Sequence, residues 1–318
     1  MDTLTAVLDH IRSAGALLGQ NLMSPPWSIR ADECASMTLV TMLRGEGWIV
    51  ADGAPKVRLR NHDIAILTGP LPFTVTSDPS ERIPPLYVLT DAGTCTDEAG
   101  GVLPDESVRL GVRTCGTRLD AEHALLTGSF HATGRVADRL LGALPRILVV
   151  PRDHQRSAHL GLLESEIARD EPGQQAVLDR LLDVVLIGTL RDWFALSNTT
   201  APGWYRATAD PIVGPALSAI HSEPARAWTV ETLALEARVS RATFARRFAD
   251  LMGEPPISYL TGWRLCLASD LLQGGDDTIE SIARQVGYSS AYALSAAFTR
   301  EYDVRPSRHR AEAAARVA

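Results

Sequence analysis

Apolar positions along the chain follow two different periods. From Cys34 to Phe130 they fall in short runs broken by turn residues. Met37–Leu43, Gly47–Val50, Lys56–Arg60, Ile64–Leu67, Leu86–Thr90, Val108–Thr114 and Ala124–Phe130 are the expected strands. Asp52-Gly53 supplies a hairpin turn between two of them, and many short strands at this spacing indicate a sandwich or barrel. Residues 2–20 carry Leu4, Val7, Leu8, Ile11, Leu17 and Leu18 at helical spacing until Pro25-Pro26 stops the run. Helical periodicity returns at Arg135–Leu144, Leu160–Ala168 and Gln174–Leu196. In the last of these, Val177, Leu178, Leu181, Leu182, Val185, Leu186 and Leu190 form a broad apolar face, extended by Trp193 and Phe194. Such a face suits either packing on the chain's own barrel or a subunit interface.

The stretch 197–209 is rich in Ser, Thr, Pro and Gly and has little periodicity, which marks a boundary. Beyond it every segment reads as helix. Asp210-Pro211 opens one with an N-cap and an N1 proline, Thr229 caps the next, and Pro255-Pro256 introduces Ile257–Leu272, closed by Gly274-Gly275. Thr278 caps the helix after that. The expected fold class is therefore α+β with two domains: a β-barrel with trailing helices over 1–196, a linker over 197–209 and an all-α domain over 210–318.

Within the helical part a pattern occurs twice. Ala234, Val239, Phe244 and Phe248 occupy the positions where a helix-turn-helix needs small or apolar contacts. Ala283, Tyr288, Leu294 and Phe298 repeat them further on. Ser240 can cap the second helix of the first unit, leaving its N-terminal end open to a DNA major groove. Arg241, Arg246 and Arg247 bring charge suited to phosphate and guanine. One such unit is also the pattern of any tight αα-hairpin; two units joined by a helix are far more specific.

Residues 224–310 resemble the C-terminal DNA-binding domain of the AraC/XylS family of bacterial transcription regulators. The carriers are Trp228 to Ala234, Val239-Ser240-Arg241, Arg246-Arg247-Phe248, Tyr259-Leu260, Trp263-Arg264-Leu265, Ile282-Ala283, Val286 to Ser289, Ala297-Phe298 and Pro306-Ser307 with Arg310. A looser likeness to family members with an N-terminal cupin-like barrel rests on His62 to Ala65, Gly69-Pro70, Gly93-Thr94-Cys95, Cys115-Gly116 and Leu144-Pro145. The resemblance implies that Ser240–Asp250 and Ser289–Arg300 enter successive major grooves about 34 Å apart. It places Ala242, Ala245 and Arg246 toward base edges, with Arg246 the guanine reader. Ser240, Arg241, Thr243 and Arg247 serve the backbone, although the Arg247 stem could instead cover the core. The second unit departs from the family. Ala296 stands where relatives often carry Arg, Asp303 replaces the usual Gly, and Ser290, Tyr292 and Ser295 are left as polar reach. It should position more than it reads.

Composition narrows the picture. The chain of 318 residues is ordinary in make-up, with a net charge of −7 that is unusual for a nucleic-acid binder. Thirteen acidic and thirteen basic residues follow Gly203, so the excess acid lies before it and a DNA face must come from local clustering. Lys56 is the only lysine, a bias that carries no functional weight. No signal peptide or membrane span is expected, and a cytoplasmic location follows. The four cysteines show no CxxC spacing. Cys95 and Cys115 lie on neighbouring expected strands, either as small buried hydrophobes or as a redox-sensing pair. There is no His-x-His, and Phe73 stands where related barrels often carry His, so no metal and no cofactor are expected. His62 and His131 are read as hydrogen-bonded or surface side chains.

These features predict a sequence-specific regulator, not an enzyme, that couples a small-molecule effector or oxidant to promoter DNA. It would act as a homodimer through the 135–195 helices, with RNA polymerase as a further candidate partner. Two alternatives are a cupin-type metalloenzyme with an appended helical domain and a helical protein-binding adaptor. Against the first, no nucleophile elbow, phosphate loop or paired metal-ligand motif is present.

Overall fold

The computed structural model describes residues 11–12, 19–32, 35–90, 94–111, 113–132, 134–156, 158–196 and 201–317. Contacts divide the chain into two compact units, one of Arg12–Ala132 with Leu144–Thr199, the other of Met1–Ile11, Thr133–Ala143 and Thr200–Ala318.

Among the described residues fourteen strands follow one another in chain order, from β1 (Ile11–Arg12), which spans the boundary of the two units, onward. β2 (Gly19–Met23), β4 (Met37–Arg44), β7 (Ile64–Thr68), β11 (Arg109–Gly111), β12 (Thr114–Gly116), β13 (His123–Ala132) and β14 (Ile147–Val150) form a sheet in the order β11-β12-β2-β13-β4-β7-β14. β3 (Ser28–Ala31), β5 (Gly47–Ala51), β6 (Val57–Leu59), β8 (Phe73–Thr76), β9 (Val88–Leu89) and β10 (Cys95–Thr96) form a second in the order β10-β9-β3-β8-β5-β6. Alternation explains how they share a core. Ile29 and Ala31, Val40 and Met42, Ile49 and Ala51, Ala65 and Leu67, and Phe73 and Val75 all join one buried cluster with Met23, Trp27 and Tyr87. The opposite faces of β4 and β7 are also buried, which is why these strands read as continuous apolar runs. Ile64 there lines a small space with Leu160 and Val185 of the trailing helices. Asp52-Gly53 turns between β5 and β6, with Gly53 at φ +71°.

Several expectations need correction. The helix expected over 2–20 falls largely outside the described residues, but Ile11–Arg12 and Gly19–Met23 are strand. Pairing of β2 with β13 and β12 overrides a weak helical spacing. The expected strand Val108–Thr114 breaks into a helical turn, α1 (Asp105–Val108), then β11 and β12. Ser28–Ala31, Phe73–Thr76 and Ile147–Val150 are strands of only four residues whose signal is carried by partners, not by period. The trailing helices are α3 (His159–Ile167) and α4 (Gln174–Ala195), following α2 (Gly134–Leu141) in the chain. Within the expected linker, 197–200 lie outside the described residues and Gly203–Thr208 is a helix, α5.

The second unit is helical. After α5 come α6 (Val213–Ser222), α7 (Val230–Glu236), α8 (Arg241–Met252), α9 (Pro256–Gly274), α10 (Ile279–Gln285), α11 (Ala291–Tyr302) and α12 (Pro306–Val317). The long helix α9 is apolar on two sides, as a helix between two lobes must be. Tyr259 meets Phe248 edge-on at 5.7 Å and Trp263 stacks on His221 at 4.2 Å on one side. Leu265, Ala268 and Leu272 pack with Ile282, Leu294 and Phe298 on the other. Arg264, half-buried, donates to the carbonyls of Pro224 and Arg226 and so ties α9 to the entrance of the first lobe.

Candidate nucleic-acid interface and thiol pair

The two helix-turn-helix units share one hydrogen-bond skeleton. In the first, Thr229 and Thr232 exchange capping bonds at the start of α7. The chain then turns through Arg238 at φ +54°, and the Val239 amide donates to the Ala234 carbonyl at 3.1 Å. Ser240 Oγ accepts from the Thr243 amide at 3.2 Å and starts α8. In the second, Thr278 caps α10, Gly287 takes the left-handed turn at φ +84°, and the Tyr288 amide donates to the Ala283 carbonyl at 2.7 Å. Ser290 Oγ then accepts from the Ala293 amide at 3.2 Å and starts α11. The second turn is one residue longer. Ala234 and Val239 recur as Ala283 and Tyr288, but Ser240, Phe244 and Phe248 recur as Ser290, Leu294 and Phe298. The second reading segment therefore begins at Ser290, and Ser289 stays in the turn.

Two acids occupy matching places in the repeat. Glu231 of α7 pairs with Arg241 at 2.8 Å, and Glu280 of α10 accepts from the Ala291 amide at 2.8 Å. Glu280 thus sits at the positive end of the reading helix α11, whereas Glu231, in the first turn of α7, meets α8 only through the Arg241 side chain. Their equal position in the repeat is legible in the sequence.

On α8 the exposed side chains are Arg241, Ala242, Arg246, Arg247 and Asp250, with Thr243 and Ala245 half-buried. No ion pair among the described residues engages Arg246. Arg247 is committed: its Nε and Nη2 reach Asp210 Oδ2 at 2.9 and 2.6 Å. Asp210 is buried, and burial would push its carboxyl up. Amide bonds from Val213 and Ile212 together with Arg247 outweigh this and hold it below the usual range. On α11 the side chains reaching outward are Tyr292, which is 84% exposed, then Ser295, Ala296 and Arg300. Asp303 ends that helix at φ +55°, a conformation that Asp tolerates better than most residues.

In the first unit, Cys95 and Cys115 pack against the same core cluster, although their strands belong to different sheets and are not neighbours. The two thiols share a hydrogen bond. That bond holds Cys115 down to about 7, against burial and with help from Arg109. The same bond, with burial, drives Cys95 upward. Tyr87 lies beside them with its hydroxyl donating to Asn21 Oδ1 at 2.7 Å. Cys34 lies outside the described residues, and Cys266 sits within α9 near the Tyr302 hydroxyl. His62 bonds Glu164 at 2.9 Å, and Phe73 is core. Among the described residues no group of three His, Cys, Asp or Glu side chains gathers as metal ligands would. No helix among them is long and apolar enough to cross a membrane.

A cupin domain followed by paired helix-turn-helix units is the architecture of a one-chain regulator. Residues 2–195 match the family model described as "Cupin", and 233–312 match "Helix-turn-helix domain". The chain is 32% identical over 315 residues to a "Putative AraC-like transcription regulator" of Streptomyces lividans, covering 98% of each. It is also 32% identical over 148 residues to the "RCS-specific HTH-type transcriptional activator RclR" of Escherichia coli (strain K12), covering 46% of this chain and 52% of that protein. A crystal structure of the DNA-binding domain of AdpA in complex with a target DNA aligns over 34% of this chain and 96% of that one, at 33% identity and a TM-score of 0.33. The chain belongs to the AraC-like family of transcription regulators. It is a DNA-binding regulator with an N-terminal cupin ligand-sensing domain.

Proposed function

We propose that α8 and α11 enter successive major grooves of one promoter duplex, and that oxidation of Cys95 and Cys115 changes that binding. The matched hydrogen-bond skeleton of the two units carries the first part, because it presents two reading helices from one packed unit. Arg246 reads guanine. Ser240, Thr243 and Ser290 place helix N-termini at phosphates, while Ala242 and Ala245 offer apolar contact to bases. Tyr292 and Ser295 supply the second unit's polar reach. Arg241 and Arg247 reach phosphate only by leaving Glu231 and Asp210. Titrating full-length protein with genomic promoter fragments and with scrambled duplexes at rising salt tests this; equal affinity for both at physiological salt refutes it.

The shared hydrogen bond and the lowered Cys115 support the redox part. The Cys115 thiolate attacks hypochlorous acid, taking chlorine and releasing hydroxide. The Cys95 sulfur then displaces chloride and loses its proton, leaving a disulfide. Two electrons pass from the sulfurs to chlorine. Disulfide formation should speed up as pH rises through about 7 and level off above, following the Cys115 thiolate. Operator affinity unchanged by hypochlorite, and by Cys95→Ser and Cys115→Ser, excludes it.

The same reading makes the chain a binding protein that performs no turnover, works in the cytoplasm and touches RNA polymerase at the promoter. Val177 and Val184 stand exposed along α4 while Leu178, Leu182 and Val185 are buried. This outer stripe supports a homodimer through α4. Val177→Asp with Val184→Asp should yield monomers in sedimentation.

A further inference from the structure

Helix α2 is drawn from the chain between strands β13 and β14, yet its contacts place it in the helical unit, against α9. Its start is fixed with care. The Asp270 carboxylate of α9 accepts from the Arg135 amide at 2.7 Å and the Val136 amide at 3.4 Å. Gly134 precedes them at φ +88°, where an added Cβ would lie 2.4 Å from Asp270 Oδ1. Val136 and Ala137 are fully buried.

Two arginines one turn apart then reach in opposite directions along the DNA-reading unit. The Arg139 guanidinium lies 4.5 Å over the Tyr259 ring and bonds Glu254 at 2.9 Å. Glu254 follows directly on the Gly253 cap of α8, and Tyr259 packs on Phe248 of that helix. The Arg135 guanidinium lies 5.0 Å over the ring of Tyr302, the last residue of α11, which packs on Phe298 at 4.7 Å. One short helix thus holds Tyr302 at the C-terminal end of α11 directly and holds α8 indirectly, through Glu254 just beyond its end and Tyr259 packed on Phe248, while its own N-terminus is pinned to the helix between them.

We propose that α2 is a clamp that fixes the separation of the two reading helices, with Arg135 and Arg139 as positioning residues. The inference deepens the reading above and rests on it. Because α2 is covalently continuous with β13 and β14, a change in the sheet that draws it away releases both grips together. Operator spacing, more than operator sequence, is what such a release alters. A cation over an aromatic ring adds attraction beyond contact area, so a lysine retains part of each grip.

The test uses the full chain. Duplexes selected by the wild-type protein from a random library define its two boxes; spacers longer and shorter by one base pair are then compared. Wild type should lose about tenfold per added or removed base pair, since avidity fails when both sites cannot be engaged together. Arg135→Ala with Arg139→Ala should flatten this to within about threefold, and the paired Lys variant should restore a preference. Gly134→Val, which displaces the start of α2 by a different route, should flatten it too. An alanine pair that melts earlier or binds more weakly but keeps the wild-type spacing profile overturns the clamp. A wild-type protein that selects no duplex overturns the DNA reading itself.

Discussion

The two helix-turn-helix units are nearly the same object on the inside and different objects on the outside. Both use a threonine cap, an acid in the first turn of the helix it starts, an amide-to-carbonyl bond across the turn and a serine cap on the reading helix. Outward, α8 carries Arg241, Arg246 and Arg247, whereas α11 carries Tyr292, Ser295, Ala296 and a single arginine, Arg300. A backbone scaffold thus sets where a reading helix stands, and a handful of exposed side chains set what it can read. The units also differ in how they turn: Arg238 takes the left-handed conformation in the first and Gly287 in the second.

That difference in the turns yields the largest expected effect. An added Cβ at Gly287 would lie 2.7 Å from the Ala225 carbonyl oxygen, and the conformation disfavours a side chain. Gly287→Ala should cost about 2–4 kcal/mol of stability, a steric clash added to left-handed strain. Arg238→Gly should stay within about 1 kcal/mol of wild type, because relief of left-handed strain is offset by greater chain freedom when unfolded. Urea unfolding of both variants checks this. Equal losses would mean that the turns are interchangeable after all.

Next comes reading. Arg246→Ala should weaken operator binding by about 1–3 kcal/mol and broaden the preferred sequence at one position. Ser295→Ala, at the corresponding face of α11, should change affinity by less than about 0.5 kcal/mol. Binding profiles over a library of operator variants decide it. Matched losses at both residues would show that the second unit reads as strongly as the first.

How much of this was visible in the sequence depends on whether a signal is local. Ser240, Thr229 and Thr278 announce helix starts because a cap is a bond within a few residues, and each is found capping; Asp210 accepts from the Ile212 and Val213 amides, but the helix expected from Pro211 starts at Val213 with Ile212 at its N-cap. The two-sided face of α9 follows from period. Bonds across the fold left no such mark. Nothing near Arg247 in sequence points to Asp210, nor near Arg139 to Glu254, and nothing local places α2 in the helical unit. The Cys95–Cys115 meeting was reached from a mistaken premise of neighbouring strands. Ser289 and Ser290 stand side by side, and only the extra residue in the turn decides which one caps.

The smallest effect concerns the paired acids. The Arg241–Glu231 bridge is exposed on both sides, and such bridges contribute little to stability. Removing Glu231 should therefore leave the melting temperature nearly unchanged. It should, however, free Arg241 for a phosphate and remove a negative charge from the DNA face. Glu231→Ala is expected to tighten binding modestly and steepen the dependence on salt by about one counterion. Glu280 differs, since its carboxylate bonds the Ala291 amide that opens α11. Glu280→Ala takes away a repulsive charge and a helix-starting bond at once, so its affinity should change less than that of Glu231→Ala while its melting temperature falls further. Salt titrations and melts of the two variants, side by side, separate a charge effect from a capping effect. If both variants tighten binding equally with no loss of stability, the acid in the second unit is not holding its helix, and the shared skeleton is less complete than the geometry implies.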